Sequence, residues 1–228
     1  SISEIGTDAQ EAGGGFEHTG NATQGSRKAR LWLDADGGNF SGSDYYYIEK
    51  TGGSGVNHIL QNSASMSFST NGNTRMTIDA NGIITKPAQP AFLVKPTNTA
   101  ANTNLAINTT HTLAFATEVF DIGGNYASNT FTAPVTGKYQ LNCLIRTNAL
   151  DTDTDYYALE LVTSNRTYTS IVVISSLSSD AGYWTMSLNV LADMDASDTA
   201  ILKFAIPNTG AAQVDIEQDT YFSGFLAC

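Results

Sequence analysis

Three carboxylates alternate along one short segment, at Asp151, Asp153 and Asp155, and Tyr156 follows them directly. Carboxylates held this close repel one another unless a cation or water screens the charge. Calcium takes several oxygen ligands, so these aspartates are the candidate metal ligands of the chain. The glycine and the distal glutamate of an EF-hand loop are missing. We therefore favour a solvated acidic loop and keep calcium as the alternative.

The remaining reactive residue types form no recognisable catalytic set. The three histidines do not share metal-ligand spacing, and the sequence contains no nucleophile-elbow, phosphate-loop or zinc-protease motif. Acidic residues on loops are too common to indicate a glycosidase, so we expect that the protein is not an enzyme. A second acidic cluster is also interpreted as a solvated loop, and its members are Asp193, Asp195 and Asp198.

Three consecutive tyrosines, Tyr45, Tyr46 and Tyr47, are compatible with two different roles. They could form an aromatic surface for a sugar, or they could belong to a packed strand. We favour packing in a core or an interface, because aromatic side chains dominate both environments.

A strand after Gly137 organises the second half of the chain. Odd positions from Tyr139 to Ile145 are apolar and the even positions are mostly polar, which predicts a half-buried strand. Pro134 cannot donate to a β-ladder, and Gly137 provides the backbone freedom of a tight turn, so a turn is predicted between them. Tyr139 is predicted to face inward and to pack near Phe131.

The composition indicates an all-β protein. Of 228 residues, 41% are hydrophobic and only 14% are charged, against about 25% in an average protein. Thr, Ser, Asn and Gly replace the charged residues, which suits short strands and turns. The net charge of −11 makes nucleic acid and anionic membranes poor partners. No apolar run approaches the ~18 residues of a membrane span, and no signal peptide is visible.

Four segments follow from the distribution of breakers and apolar runs. Residues 1–29 are predicted to be a linker or the end of a shaft, and 30–86 a β-rich shaft module. Residues 87–96 form a proline-rich connector that includes the first strand of a head over 97–228. Predicted strands lie at 30–35, 44–50, 57–61, 65–69, 75–79, 82–85, 91–94, 104–108, 112–121, 129–133, 138–147, 156–163, 167–175, 183–191, 199–205 and 220–227.

The spacing of Phe131, Gly137 and Tyr139 resembles the signature of the complement-q globular head family. Segment 113–126 resembles the preceding strand and acidic turn of that family, and segment 220–228 resembles its closing strand. The resemblance implies the jelly-roll β-sandwich that the family shares with tumour necrosis factor, and a homotrimer. The structural signature carried over to this chain comprises Phe131, Gly137, Tyr139, Phe222, Gly224 and Phe225.

The resemblance also has departures and further implications. Leu141 stands where the family usually has Phe, Cys143 where it has an aromatic, and Ser197 where it has Gly. Calcium at apical loops is known in the family, which is the second reason to consider it at 151–155. Cys143 and Cys228 would lie on neighbouring strands, so a disulfide is possible, but we favour two free thiols.

Segment 62–82 resembles a module of bacteriophage tail fibres and spikes that precedes a C-terminal tip. The strands of 30–86 offer little core to a single chain, which favours three intertwined or stacked chains. The resulting hypothesis is a homotrimeric tail-fibre tip in the virion, joined to upstream fibre or tail proteins. Asp151, Asp153, Asp155 and Tyr156 are its candidate loop for a host glycan or outer-membrane protein. A purely structural fibre or decoration protein, and a secreted complement-q-like lectin, are the alternatives.

Overall fold

The computed structural model describes residues 13–19, 28–34, 45–51, 55–60, 64–207 and 214–228. The chain divides into two compact units, Ser1–Pro87 and Ala88–Cys228. The division falls at the start of the predicted connector, where prolines interrupt strand pairing. We call the first unit the N-terminal unit and the second unit the head.

The N-terminal unit contains a four-stranded antiparallel sheet. Its strands are β1 (Gly13–Thr19), β2 (Lys28–Asp34), β3 (Tyr45–Thr51) and β4 (Val56–Leu60), paired in sequence order. Residues 1–29 are predicted to be a linker or the end of a shaft; within this segment, the described residues 13–19 form β1, which pairs along its whole length with β2. The sequence of β1 has little hydrophobic alternation, so its pairing partner rather than its own pattern makes it a strand.

A three-stranded antiparallel sheet follows in the same unit. It consists of β5 (Met66–Thr70), β6 (Asn73–Ile78) and β7 (Ile84–Thr85). Asn71 and Gly72 connect the first two strands, with φ angles of 50° and 74°. Two successive positive φ angles are the geometry of a type I′ hairpin turn, which Asn-Gly favours. The Asn-Gly signal in the sequence therefore predicts this hairpin correctly.

The head is built from twelve further strands and a short 3-10 helix at Thr99–Asn102. The strands are β8 (Ala91–Lys95), β9 (Thr109–Thr112), β10 (Thr117–Ile122), β11 (Tyr126–Ala127), β12 (Thr130–Thr132), β13 (Gly137–Leu150), β14 (Tyr157–Thr163), β15 (Thr167–Val172), β16 (Ala181–Met194), β17 (Thr199–Ile206), β18 (Asp215–Ile216) and β19 (Tyr221–Leu226).

These strands form two antiparallel sheets. The first head sheet has the order β10-β8-β19-β13-β16, with β18 added beside β13. The second has the order β11-β12-β17-β14-β15, with β9 added beside β17. The chain crosses repeatedly between the sheets, with β11–β12 and β14–β15 as hairpins within the second sheet, and the last strand returns to lie beside the first. This is the topology of a jelly-roll sandwich, so the predicted fold of the head is confirmed.

The core of the head lies between the two sheets and is rich in aromatic side chains. Tyr139 is fully buried, as predicted, and its ring meets that of Phe131 at 5.5 Å in an edge-on arrangement. Phe92 stacks on Phe131 at 4.6 Å and touches Phe222 edge-on at 5.0 Å. The Tyr139 hydroxyl donates to the Val135 carbonyl at 2.7 Å, which satisfies its one polar atom.

The two signature glycines fill roles that differ from the predicted turn. Gly137 begins β13 rather than occupying a turn with a positive φ angle. A Cβ there would lie 2.6 Å from Leu226 Cδ1 and 2.7 Å from the Cys228 carbonyl oxygen. A Cβ on Gly224 would meet Leu141 and Phe92 within 3.0 Å. Close packing of neighbouring strands, not turn geometry, therefore requires glycine at both positions.

Two predicted strands of the head are wrong. Residues 104–108 form no strand; Asn104 and Asn108 have φ angles of 52° and 60°, and only Leu105 makes a single bridge, to Val214. The predicted strand 112–121 breaks after Thr112, where the chain crosses from the second head sheet to the first. At the crossing, the side chain of Asn102 accepts from the Ala114 amide at 2.7 Å and donates to its carbonyl at 2.9 Å. The side-chain amide of Asn102 thus makes the hydrogen bonds that a neighbouring strand would otherwise make. The alternation of apolar and polar residues does not reveal such a contact.

None of the described residues belongs to a helix long and apolar enough to cross a membrane.

Candidate functional site: the loops at the far end of the head

The strands of the head connect two ends with different roles. The chain enters at Ala91, opposite Phe225, and the Pro90 carbonyl accepts from the Leu226 amide at 3.0 Å. The Cys228 carbonyl accepts from the Lys138 amide at 2.7 Å at the same end, which we call the connector end. From there β13 runs for 14 residues, a length of about 40 Å, to the opposite end. We call this opposite end the far end.

The predicted loop 151–156 lies at the far end, directly after β13. Asp151 is buried, and its carboxylate Oδ1 accepts from the Asp153 amide at 2.8 Å. The Asp151 amide donates to the Tyr157 hydroxyl at 2.8 Å, and that hydroxyl donates to Thr154 Oγ1 at 3.2 Å. The Thr154 amide closes the turn on the Asp151 carbonyl at 3.1 Å. Internal hydrogen bonds of this kind hold the loop in one conformation.

A second loop, 173–180, is fastened to the first. The carboxylate of Asp180 accepts from the Thr152 amide at 2.9 Å and from the Thr152 hydroxyl at 2.8 Å. Both bonds go to one charged oxygen, and charge-assisted hydrogen bonds are stronger than neutral ones. The two loops therefore present one continuous, ordered surface at the far end.

The predicted calcium site is not assembled by this geometry. Asp151 turns inward to the backbone, whereas Asp153 and Asp155 are exposed. Across the part of the chain that the structure describes, no three His, Cys, Asp or Glu side chains are grouped so that they could hold a metal ion. In this conformation the segment forms an Asx turn at Asp151 followed by two surface carboxylates, as in the favoured solvated loop, and calcium binding there stays a prediction.

Exposed apolar side chains lie beside these carboxylates. β14 pairs with β15 through Tyr157 and Val172, and one residue beyond this pair come Tyr156 and Val173. Both are exposed, as are Ile171 and Leu177 on the neighbouring strand and loop. Sequence reasoning missed Ile171, Val173 and Leu177, although Ile171 and Val173 continue the outward positions that Thr167 and Thr169 begin on β15. The far end thus combines one aromatic ring, aliphatic side chains and two carboxylates.

The second acidic cluster belongs to the connector end and serves the structure there. Asp193 pairs with Arg166 at 2.8 Å, and Asp198 Oδ2 accepts from the Asp195 amide at 2.8 Å. Ser197, between them, has a φ angle of 77°, the left-handed conformation that glycine adopts most easily. Ser197 is therefore in a backbone conformation that glycine would adopt with less strain.

The outer face of the first head sheet carries a feature that sequence reasoning did not identify. The strand register places Ile122, Ala91, Phe225, Gln140 and Leu191 in one row across five strands near the connector end. Phe225 is 46% exposed and Leu191 55% exposed, and Ile122 is also exposed. The closing strand is predicted to reach the core near Tyr139 through Phe222 or Phe225; Phe222 is buried in the core and Phe225 lies outside it. We call this row the apolar row.

The same outer face is polar nearer the far end. The Arg146 guanidinium lies 4.5 Å from the centre of the Tyr183 ring and pairs with Asp219. The hydrogen bond that Arg146 donates to the Asp219 carboxylate raises the pKa of Arg146, so its charge is fixed. Ion pairing and cation–π contact on an exposed face contribute little stability, which leaves this area available for polar contacts.

The other residue sets singled out in the sequence have structural roles. Cys143 and Cys228 are both free thiols, and burial raises the pKa of Cys143 to about 12. Tyr47 packs on Trp32 with ring centres 4.5 Å apart, while Tyr46, on the opposite face, hydrogen-bonds His58. Tyr46 and Tyr47 thus lie on opposite faces of β3. The side chains of Tyr45 and His18 lie outside the described residues, and His111 Nε2 is hydrogen-bonded to the Ala106 carbonyl at 2.8 Å.

The sequence matches no model of a known protein family and no curated protein. Among solved structures, similar ones include the globular domain of zebrafish complement 1qA, with 15% identity and a TM-score of 0.47 over 61% of this chain and 98% of that one. Murine APRIL at pH 8.0 is also similar, with 13% identity and a TM-score of 0.45 over 60% of this chain and 98% of the other. Identities this low concern the fold alone, and the jelly-roll assignment rests on the strand order and register given above.

Proposed function

We propose that the protein is the distal part of a bacteriophage tail fibre, which assembles as a homotrimer and binds the host surface through the far end of its head. The observation that carries the proposal is the separation of two surfaces on the head. The chain enters at the connector end, near the apolar row, and the ordered loops 151–156 and 173–180 occupy the opposite end. Assembly and recognition therefore use different surfaces.

The apolar row supports assembly. Covering an exposed Phe or Leu side chain is worth about 1.5–3 kcal/mol, and a homotrimer would gain this at three equivalent contacts. Chains of net charge −11 repel one another, so they associate best through uncharged surface. The apolar row contains no charged residue, since its only polar member is Gln140.

The far end supports recognition. Tyr156 offers a ring on which a sugar could stack, while Asp153 and Asp155 offer acceptors for hydroxyl groups. Internal hydrogen bonds order the loop in advance, so binding loses less conformational entropy. A trimer carries three such ends, and a particle with several fibres would convert weak single contacts into firm attachment. A host glycan or outer-membrane protein fits this chemistry.

Competition with phage adsorption tests the receptor role. Purified protein is expected to bind host bacteria and to block adsorption, and Tyr156→Ala should weaken the binding about tenfold or more, as loss of a stacking contact does. Val135→Ala, which removes an exposed apolar side chain at the connector end, is the matched control and should change nothing. Wild-type protein that neither binds cells nor competes would support the structural fibre instead. Binding to immobilised glycans without binding to bacteria would support the alternative of a secreted complement-q-like lectin.

Light scattering tests the assembly. The native protein is expected to have a molar mass of three chains. A molar mass of one chain at the working concentration would overturn the proposed homotrimer. Phe225→Ser should shift the equilibrium toward monomer, whereas Ser223→Thr, two residues earlier on the same face, should not.

A further inference from the structure

The three-stranded sheet of the N-terminal unit has one apolar and one polar face. The strand register places Met66, Ile78 and Ile84 in one row, followed by Phe68 and Met76 in the next. The opposite face carries Ser67, Thr77 and Thr85. Phe68 is 48% exposed and Ile84 is 57% exposed. A small sheet is stable when its apolar face is covered, so the chain presents a face that its own described residues cover only in part.

A pocket of about 620 Å³ opens on this apolar face, over β5 and the end of β6. Leu60, Met66, Phe68 and Ile78 give it an apolar lining, and His58 and Asp79 are its polar members. Both polar members are already engaged. Asp79 Oδ1 accepts from the amides of Asn81 and Ile83 at 2.8 Å each, and His58 Nδ1 is hydrogen-bonded to the Tyr46 hydroxyl. The pocket is therefore suited to apolar side chains rather than to a charged ligand.

The apolar side chains that fit such a pocket protrude from the same unit, but on the other edge of the sheet. Ile83 is 59% exposed and directly precedes Ile84 on β7, which is the edge strand opposite β5. β6 separates β7 from β5, and adjacent strands lie about 4.8 Å apart, so Ile84 lies about 10 Å from β5 and does not fill the pocket of its own chain. A protruding group and a complementary pocket on different edges of one molecule produce head-to-tail contacts between copies.

We propose that the N-terminal unit carries a second self-association contact, in which Ile83 and Ile84 of one copy occupy the pocket over β5 of the next. This inference rests on the proposed homotrimer, because head-to-tail contacts around a threefold axis close into a ring of three. The interacting face has no charged group beyond the engaged Asp79, so copies of this acidic chain meet there without repulsion.

Site-specific photocrosslinking of the full chain tests the contact. A p-benzoylphenylalanine that replaces Phe68, in the pocket, is expected to give covalent dimers and trimers. In a mixture of isotopically labelled and unlabelled chains, mass spectrometry should place the adducts at Ile83 or Ile84 of a different chain. The same probe in place of Ser67, on the polar face, is the matched control and should give fewer than a tenth as many adducts.

Two variants make the contact specific. Ile84→Ser should reduce crosslinking from position 68 at least tenfold, and Thr85→Ser, its neighbour on the polar face, should leave it unchanged. A protein that scatters as a trimer but gives only intrachain adducts, or none, from position 68 would overturn this contact and leave the proposed trimer intact. A protein that scatters as a monomer would overturn the proposed assembly itself, and this contact with it.

Discussion

In the head, inward side chains from two sheets meet and exclude water: Tyr139, Phe92 and Phe222 are buried between the strands. In the N-terminal unit, Tyr47 and Glu49 alone among the described side chains are buried, and they keep 9% and 5% of their surface exposed. The head contains two sheets that cover each other, whereas the three-stranded sheet before it leaves an apolar face partly exposed. The head therefore buries a core of its own, whereas the described residues of the N-terminal unit bury little apolar surface.

The two tryptophans allow this comparison to be measured, because each unit contains one: Trp32 in the N-terminal unit and Trp184 in the head. Trp184→Phe leaves fluorescence that reports only on the N-terminal unit, and Trp32→Phe leaves fluorescence that reports only on the head. Unfolding curves from these two backgrounds separate the effects of further substitutions on the two units.

The largest expected effect concerns the core of the head. Tyr139→Ala opens a cavity beside Phe131 and should lower the free energy of unfolding of the head by roughly 3–5 kcal/mol per chain. Urea unfolding followed through Trp184 measures it. Gln140→Ala, on the outer face, is the control and should be nearly silent. If Gln140→Ala were the damaging change and Tyr139→Ala mild, the register of β13 would be wrong.

The next effect should be confined to the N-terminal unit. Arg30 pairs with the buried Glu49 at 2.6 Å and stacks over the rings of Trp32 and Tyr47. Arg30→Met leaves a buried carboxylate without this partner and should cost about 3 kcal/mol, read through Trp32 fluorescence. The control is Arg166→Met, which breaks an exposed pair and should cost about 1 kcal/mol at most. An equal loss of unfolding free energy in both units after Arg30→Met would show that the two units do not unfold independently.

A smaller effect is expected where strands approach closely. Gly137→Val places side-chain atoms against Leu226 and the Cys228 carbonyl, and should destabilise the head by about 1–3 kcal/mol. Gly182→Ala is the control, because a Cβ there meets nothing within 4 Å. Thermal unfolding followed by near-ultraviolet circular dichroism compares the two. Equal melting temperatures would show that the chain after β19 yields to the added atoms.

The smallest effect is expected to be stabilising. Ser197→Gly relieves a left-handed backbone conformation that costs roughly 1 kcal/mol for residues with a Cβ, although the greater freedom of glycine in the unfolded chain offsets part of the gain. We expect the melting temperature of the head to rise by a few degrees at most. Asn108→Gly should give a still smaller rise, because Asn tolerates this conformation better. A fall in melting temperature after Ser197→Gly would show that the serine side chain has a stabilising contact.

Much of the sandwich could be predicted from the sequence, because its long strands alternate cleanly and turn residues separate them. β13 is the best example: Tyr139 and Leu141 point inward and Gln140 outward, as the pattern indicates. The errors lie where side chains replace the ladder. Asn102 binds the backbone of Ala114 and so separates β9 from β10 within the predicted strand 112–121. The two residues are twelve positions apart, so a local pattern does not reveal their contact.

The candidate site was predictable in position but not in chemistry. Alternating aspartates indicate a loop, and the structure has that loop after β13. The sequence could not show that Asp151 would turn inward to the Asp153 amide, because this depends on the buried Tyr157 hydroxyl beneath it. The apolar row escaped prediction for a related reason. Its members come from five strands, and only the register of the folded sheet aligns them.

The position of β19 has a consequence for how the protein is made. β8, the first strand of the head, pairs with β19, so the sheet joins segments about 130 residues apart, and contacts this distant slow folding. During synthesis, the ring of Phe92 stays exposed until Phe222 is made. The sandwich forms only after residues 221–226 have left the ribosome. Nascent heads are therefore open to chaperones and proteases until β19 has emerged, and a chain that terminates before β19 is unable to form this pairing.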